Sequence, residues 1–371
     1  MSSLGFSNEL IGIFNSLPAL ALLVVGLPFA AFADRLGYRI FLLAAAVLAV
    51  VGSVVLAAVG QRLVAVLAAG TFGFSVTILG ILGNPLLTQI SRESERVSLF
   101  AINQALAWVA VLVGDLFGGQ VPELAARSLH TSSASAGPLR TAFVAMAILV
   151  VFALPSLIRL TRVVAPGAAI TVPVKAMLRV DIGRFARLLI PEALLGIGAG
   201  MFLNFVQLYF AQRFKLTPGP IGTVLAIGAA LTAVGTLGAP WISRRLGLTR
   251  TVAFTQMAGF PLLLLLASIF TLPAAILVFY VRQIALNIQA PLATVFGMEY
   301  VQPDQRARAA TAVNIAWGIG AGGIGPLVSG FLQVAGGFQL AFTVAAVFYL
   351  LAGVSFLALF GRVRLPSEDS L

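Results

Sequence analysis

Asp34-Arg35-Leu36-Gly37-Tyr38-Arg39 and Arg244-Arg245-Leu246-Gly247-Leu248-Thr249-Arg250 decide the fold of this chain. Both are short basic turns set between long apolar runs, and their Arg-Leu-Gly cores lie about 210 residues apart. Other marks recur near that spacing. Ile11-Gly12 returns as Ile221-Gly222. Ala101-Ile102-Asn103, with Trp108 beyond it, returns as Ala312-Val313-Asn314, with Trp317 beyond it. The sequence is one unit written twice.

Composition places both copies in lipid. Hydrophobic residues make up 60% of the 371, charged residues 9%, and the mean hydropathy is +1.05. A soluble domain carries about a quarter charged residues. The apolar residues fall into runs of about twenty, enough to cross about 30 Å of hydrocarbon as helix. A spanning segment must satisfy its own backbone, so the runs are expected to be α-helices. Eleven spans are expected, near 9–33, 39–59, 63–88, 99–121, 140–159, 187–212, 219–242, 250–271, 273–297, 309–335 and 339–361. The predicted fold is an all-α polytopic membrane protein of two pseudo-symmetric bundles. Residues 1–160 supply five spans, 161–186 a cytoplasmic linker, 187–361 six spans and 362–371 a cytoplasmic tail.

Lys and Arg set the orientation. Seventeen fall in the loops that include Arg35, Arg39, Arg92, Arg244, Arg245 and Arg364, against five in the opposite loops, with Arg282 inside a span. Cytoplasmic loops carry the basic excess. The C-terminus is therefore expected inside, in the plasma or inner membrane. The net charge of +11 follows from this bias and from attraction to anionic lipid, and requires no nucleic acid. The absence of Cys and the single His130 exclude disulfides, thiolate sites and histidine metal clusters, and no metal or cofactor is expected. The repeat places a partner for the 187–212 span just before Met1, so the first bundle is expected to begin one helix late. Ser7 and Thr217 are matching N-cap candidates. The outer segment 122–139, rich in Ser and Thr, is expected to be a loop.

Ala30-Ala31-Phe32-Ala33-Asp34-Arg35-Leu36-Gly37-Tyr38-Arg39 resembles the signature loop of the major facilitator superfamily, found there between the second and third helices on the cytoplasmic side. Asp34, Arg35, Gly37 and Arg39 match the family pattern, whereas Ala30 and Tyr38 depart from it. The second copy runs from Pro240 to Arg250, with Arg244 at the Asp position. The resemblance implies a cytoplasmic gate of Asp34, Arg35, Gly37, Arg39, Arg244, Arg245 and Gly247. It also implies that the gate opens when the cavity faces inward. The family's drug/proton antiporters carry Gly-Pro, two residues and Gly-Gly in the fifth helix. Here Gly114-Asp115-Leu116-Phe117-Gly118-Gly119 has Asp115 in place of the Pro.

Polar groups inside spans are costly in hydrocarbon and are expected to face the bundle interior. Glu192, Gly196, Gly200, Asn204 and Gln207 share one helical face. Asn204 and Gln207 are candidate cavity residues, and the glycines are candidate packing positions. Arg282 and Gln289 share a second face, with Gln283 and Asn287 beside it. Arg282 reads either as a binding-site cation, as the partner of a buried acid, or as a side chain reaching back to the outer surface. Asp115 is the deep acid and the candidate for proton coupling. Trp108 and Trp317 lie near mid-span and are candidates for the cavity wall.

The chain lacks a phosphate loop and a His or Cys nucleophile pair, and its surface acids are scattered. Parallel duplication of a helical bundle is the construction of transporters that rock two halves about a central site. The reading is a monomeric secondary transporter, not an enzyme, that moves a small molecule by alternating access with protons as coupling ion. The alternatives are a membrane enzyme acting on lipid-linked substrate and an inactive or sensor-like transporter. The topology is testable in this cysteine-free chain. Arg39→Cys and Arg250→Cys should react with an impermeant maleimide from one side of the membrane, and Ser132→Cys from the other. Labelling of the two arginine positions from opposite sides would refute the duplicated architecture.

Overall fold

A computed structural model of the protein describes residues 7–20, 38–58, 61–91, 93–163, 182–301 and 305–363. Asp34, Arg35 and Gly37 of the first candidate gate turn lie outside the described residues, as does most of the expected 161–186 linker.

Each of the eleven apolar runs falls on helix, the first described only to residue 20. In chain order the helices are α1 (residues 8–20), α2 (Tyr38–Ala58), α3 (Arg62–Ile90), α4 (Glu93–Leu129), α5 (Ala136–Val163), α6 (Ile182–Leu203) and α7 (Val206–Phe214). There follow α8 (Pro218–Leu237), α9 (Ala239–Leu246), α10 (Leu248–Ser268), α11 (Leu272–Asn287), α12 (Gln289–Tyr300), α13 (Arg306–Gly318), a π turn (Ile319–Ile324) and α14 (Gly325–Phe360). Eight stretches among the described residues are long and apolar enough to cross a membrane. One of them, Ala312–Phe360, holds two expected spans, separated where Gly336 and Gly337 leave helical geometry, Gly337 at φ 67°. The expected loop 122–139 is shorter than its composition suggested. α4 runs on to Leu129 through Pro122, because Glu123-Leu124-Ala125-Ala126-Arg127 are good helix formers, and α5 begins at Ala136.

The helix ends follow local chemistry. Ser7 Oγ accepts the Leu10 N–H at 3.3 Å, capping α1. Pro218 opens α8 at the position where a missing N–H costs nothing. Hydroxyls within spans return to their own helix. Ser53 bonds Ala49 O at 2.8 Å and Thr232 bonds Gly228 O at 3.0 Å, so neither is left unsatisfied in apolar surroundings.

By contacts the chain forms two compact units. One comprises Met1–Phe6, Phe14–Val172 and Leu216–Ala226, the other Ser7–Ile13, Pro173–Lys215 and Ile227–Leu371. In the first unit α2 packs on α3 and α5, around Leu42, Ala45, Ile78 and Leu82. In the second, α14 packs along α10 and α6, and Val252, Ala253, Leu292, Phe296, Phe356 and Phe360 form one core.

Each unit holds one short segment from the other repeat copy, and a glycine contact explains each exchange. In the second unit a methyl group added at Gly12 would lie 2.6 Å from Pro326 O and 2.9 Å from Gly330 Cα. In the first, one added at Gly119 would lie 2.5 Å from Pro218 O and 2.9 Å from Gly222 Cα. The repeat makes Gly12 the mate of Gly222 and Gly119 the mate of Gly330, so these are one crossing built twice.

The glycine contacts have a measurable consequence. A methyl at Gly200 would sit 2.5 Å from Ala321 O, whereas one at Gly297 meets nothing within 4 Å among the described residues. Gly200→Ala should lower unfolding stability by about 1–3 kcal/mol. Gly297→Ala should leave it unchanged or raise it by up to about 1 kcal/mol through helix propensity. Unfolding in mixed detergent micelles reads both values, and equal losses would refute the assignment.

Candidate functional site

The face from Glu192 to Asn204 is built by backbone contact. Gly196 lies against the Trp317 backbone, with an added methyl 2.5 Å from its carbonyl, and Gly320 of the π turn abuts Ile197 N and Ala193 O. Glu192 is buried at the start of this line. At its far end α6 stops, and Asn204-Phe205 form a turn before α7. There Asn204 Nδ2 donates to Gly200 O within its own helix and to Ala321 O of the π turn, each at 3.0 Å. The wider π turn sets carbonyls off the α-helical ladder, and Asn204 meets one of them. Asn204, Gln207 and Trp317 are exposed, so three candidate cavity residues of the second unit lie on accessible surface.

Arg282 is placed otherwise. It is 2% exposed, inside the second unit, and does not reach the outer surface. Its Nη2 donates to Tyr349 Oη at 2.6 Å and its Nη1 to Gln283 Oε1 at 3.0 Å. The guanidinium carbon lies 4.0 Å from the centroid of the Phe202 ring and 5.5 Å from that of Tyr349. Desolvated cation–π contact of this kind contributes about 2 kcal/mol. Its polar partners among the described residues are a phenol and an amide, not a carboxylate. Its Nε is buried without a partner among the described residues.

Two glycines hold Tyr349 in place. A methyl at Gly259 would fall 2.5 Å from the Tyr349 ring, and one at Gly198 would fall 3.0 Å from its other edge. The ring stands in a slot between α10 and α6 with its hydroxyl on Arg282. Neither Tyr349 nor these glycines was a candidate from the sequence. The only signal was a tyrosine in an otherwise apolar last span, 67 residues from its partner.

Gln289 and Asn287 belong to the same polar interior, where the chain breaks at Ile288 between α11 and α12. Gln256 Nε2 donates to Gln289 Oε1 at 3.2 Å, and Gln256 Oε1 is buried without a partner among the described residues. Asn287 Nδ2 donates to Gln283 O at 2.7 Å and to Thr232 Oγ1 at 3.4 Å. Arg282 and Gln289 thus sit in the packed interior, while Asn204, Gln207 and Trp317 sit on its surface. The structure does not bring the five side chains into one pocket.

In the first unit Trp108 and Asp115 are half-exposed on α4. The Asp115 carbonyl faces Gly222 at the glycine crossing. Near the end of the same helix Glu123 accepts the Gly219 N–H at 3.2 Å and the Ser133 hydroxyl at 3.1 Å. A carboxylate at the first turn of α8 is well placed for the helix dipole.

The second basic turn, the candidate gate copy, is fully described. Arg244 and Arg245 end α9, and Arg245 stacks on Trp241 with its guanidinium carbon 4.1 Å from the ring centroid. Gly247 has φ 81°, a conformation that L side chains avoid, which explains a glycine after Arg-Leu. Arg39 is exposed at the start of α2.

The Arg282–Tyr349 bond is testable. Tyr349→Phe keeps the ring in its slot and removes the hydroxyl, and should cost about 1.5–3 kcal/mol of unfolding stability, the range for hydrogen bonds to charged groups. In the Arg282→Met background the same change should cost less than about 0.5 kcal/mol. Equal costs in both backgrounds, measured in mixed micelles, would show that the pair is not coupled.

The comparisons bear on the whole chain. No curated protein matches it. A bacterial homolog of the human lysosomal transporter Spinster, in an inward-facing and occupied conformation, superposes with a TM-score of 0.78 at 14% identity, covering 96% of this chain and 89% of that one. A bacterial homologue of the iron transporter ferroportin, inward-facing, gives 0.74 at 14% identity, covering 97% and 92%. The nucleoside transporter NupG gives 0.72 at 16% identity, covering 96% and 91%. At these identities the likeness is one of fold. The Major Facilitator Superfamily profile matches residues 1–323 and, in a second match, 194–370. These proteins are transporters, not enzymes. With that profile spanning the chain and the duplicated all-helical fold beneath it, this protein is a member of the Major Facilitator Superfamily.

Proposed function

We propose that the protein is a secondary active transporter that moves a small molecule across the plasma or inner membrane by alternating access. In this reading it works as a monomer, multi-pass, with its C-terminus in the cytoplasm. The supporting observation is the glycine crossing built twice, Gly12 on Gly330 and Gly119 on Gly222. Both lie at helix ends that the Arg distribution assigns to the outer side. Glycine-to-glycine contact brings two backbones together with few interlocked side chains, so each crossing closes by backbone approach.

Polar clasps flank each crossing. Asn8 Nδ2 donates to Gln212 Oε1 at 3.2 Å and to Gln333 Oε1 at 3.1 Å, and Gln212 Nε2 returns to Asn8 Oδ1 at 3.2 Å. Glu123 on the Gly219 N–H is the counterpart. These contacts must break when a path opens outward. On the cytoplasmic side the gate comprises Asp34, Arg35, Gly37 and Arg39, with Arg244, Arg245 and Gly247 as its repeat. Trp108, Asn204, Gln207 and Trp317 are assigned to the substrate path. Arg282, Asn287 and Gln289 form the polar interior that braces it and supply binding groups if that interior opens.

Protons are assigned as the coupling ion, with Asp115 as carrier. Pyranine-loaded proteoliposomes exposed to a panel of amphipathic and anionic small molecules give the test. A transported compound should drive proton movement, and Asp115→Asn should reduce that movement at least tenfold while compound exchange without a gradient continues. Undiminished proton-driven uptake by Asp115→Asn would remove Asp115 from the coupling step. No flux of any compound in the panel, with the clasps fixed closed by spin-label distances between positions 8 and 333, would count against transport itself.

A further inference from the structure

The helix pair α2 and α5 of the first unit corresponds to α10 and α14 of the second, and the two pairs are filled differently. The Arg-Leu-Gly spacing of 210 carries α2 onto α10. Ala142-Phe143 and Ala341-Phe342 carry α5 onto α14 at a spacing of 199. Alanines match along both: Ala57 with Ala267, Ala147 with Ala346 and Ala153 with Ala352. Around them the bulk differs. Val50 stands where the second copy has Phe260, Val54 where it has Leu264, and Val151 where it has Leu350. The three larger side chains are half-buried in the second unit.

The smaller side chains leave a groove. Between α2 and α5 lies an open cavity of about 560 Å³, with Val50 and Val54 on one wall and Val144, Ile148 and Val151 on the other. From Val144 to Phe152 it runs about 12 Å along α5. Every side chain that lines it is aliphatic or aromatic. The volume is that of a ligand site, but an unbroken apolar wall has no group to orient a polar ligand. A cation stands at its mouth. Arg140 precedes Val144 by one turn on the same face of α5, near the helix start and half-buried. α5 carries no acidic residue. The expected span begins at residue 140, which puts this guanidinium at the level of the lipid headgroups.

We propose that the groove between α2 and α5 is a binding site for an anionic phospholipid, with one acyl chain along the valine walls and the phosphate on Arg140. A methylene chain gains dispersion contacts with both helices that the missing side-chain bulk leaves unmade. Guanidinium and phosphate form the strong, charge-assisted hydrogen bonds that fix the lipid's position. The chain and the headgroup thus each meet the chemistry they require, one turn apart on the same helix. The assignment depends neither on transport nor on which way the protein faces, so it stands or falls separately from the proposed function.

Brominated lipid, which quenches tryptophan on contact, tests the site in the full-length protein. Trp108, Trp241 and Trp317 are changed to Phe. Phe152→Trp, at a groove position that is 77% exposed, then reports the site, and Leu67→Trp, at a position 62% exposed on α3, reports ordinary lipid contact. Each protein is reconstituted in phosphatidylcholine vesicles with increasing fractions of phosphatidylglycerol brominated on its chains. The Phe152→Trp reporter should be half-quenched at a mole fraction at least fivefold lower than the Leu67→Trp reporter. Arg140→Gln should raise the fraction needed at position 152 at least threefold and leave position 67 unchanged. Val50→Phe, Val54→Leu and Val151→Leu together, the side chains of the second copy, should abolish the difference between the reporters in a protein whose unfolding transition is retained. Equal quenching of the two reporters, no response to Arg140→Gln, or early quenching at position 152 that survives the filled groove would overturn the proposal. Early quenching at position 152 by brominated oleic acid but not by the brominated phospholipid would overturn it in favour of a free fatty acid.

Discussion

Helices in a membrane gain little from burying apolar surface against one another, because lipid is as apolar as leucine. Cohesion here comes from close backbone approach, and glycine permits it. Gly196, Gly200, Gly320 and Gly325 let α6 and the π turn meet backbone to backbone. Gly12 with Gly330 and Gly119 with Gly222 do the same at the two crossings. Gly198 and Gly259 open the slot for Tyr349. Large side chains then fill the space that remains, as the Phe202, Tyr209, Phe210, Phe279 and Phe342 rings do at centroid separations of 5.0 to 6.3 Å.

Hydrogen bonding is the second constraint. Polar groups in the spans are few, and most close on the nearest carbonyl of their own helix. Others join elements, among them Asn204 to Ala321 O, Ser329 to Met201 O, Tyr209 to Leu266 O, Gln256 to Gln289 and Arg282 to Tyr349. Arg282 is the extreme case, a buried cation held by a phenol, an amide and an aromatic face. Removing one partner of such a cluster leaves a polar group stranded in apolar surroundings, so the second unit depends on it more than one hydrogen bond would suggest.

The copies also differ in what their shared residues do. Gly114 and Gly325 descend from one repeat position, yet one supports a helix and the other faces open space among the described residues. Asp115 stands where the second copy has Pro326, so the same place carries a candidate carboxylate in one copy and a helix-opening proline in the other. Duplication fixed the scaffold and left individual positions to diverge.

Hydropathy and the repeat were sufficient to predict an all-helical fold in a lipid environment, with the described apolar runs on helix. Run length and backbone satisfaction admit no other spanning structure, and Arg-Leu-Gly foretold a turn whose second copy does adopt φ 81° at Gly247. The end of α4 was misjudged because serine-rich composition hid a run of helix formers. The partners of the polar residues were not legible at all. Helical periodicity puts Asn204, Gln207, Arg282 and Gln289 on faces, but a face becomes interior or surface only when a neighbouring helix arrives, and that neighbour lies tens to hundreds of residues away. Tertiary packing alone decided that Arg282 meets Tyr349 in a glycine slot and that Asn204 stays at the surface. The physical reason is that local sequence sets the direction of a side chain, while the crossing of distant backbones sets what it meets.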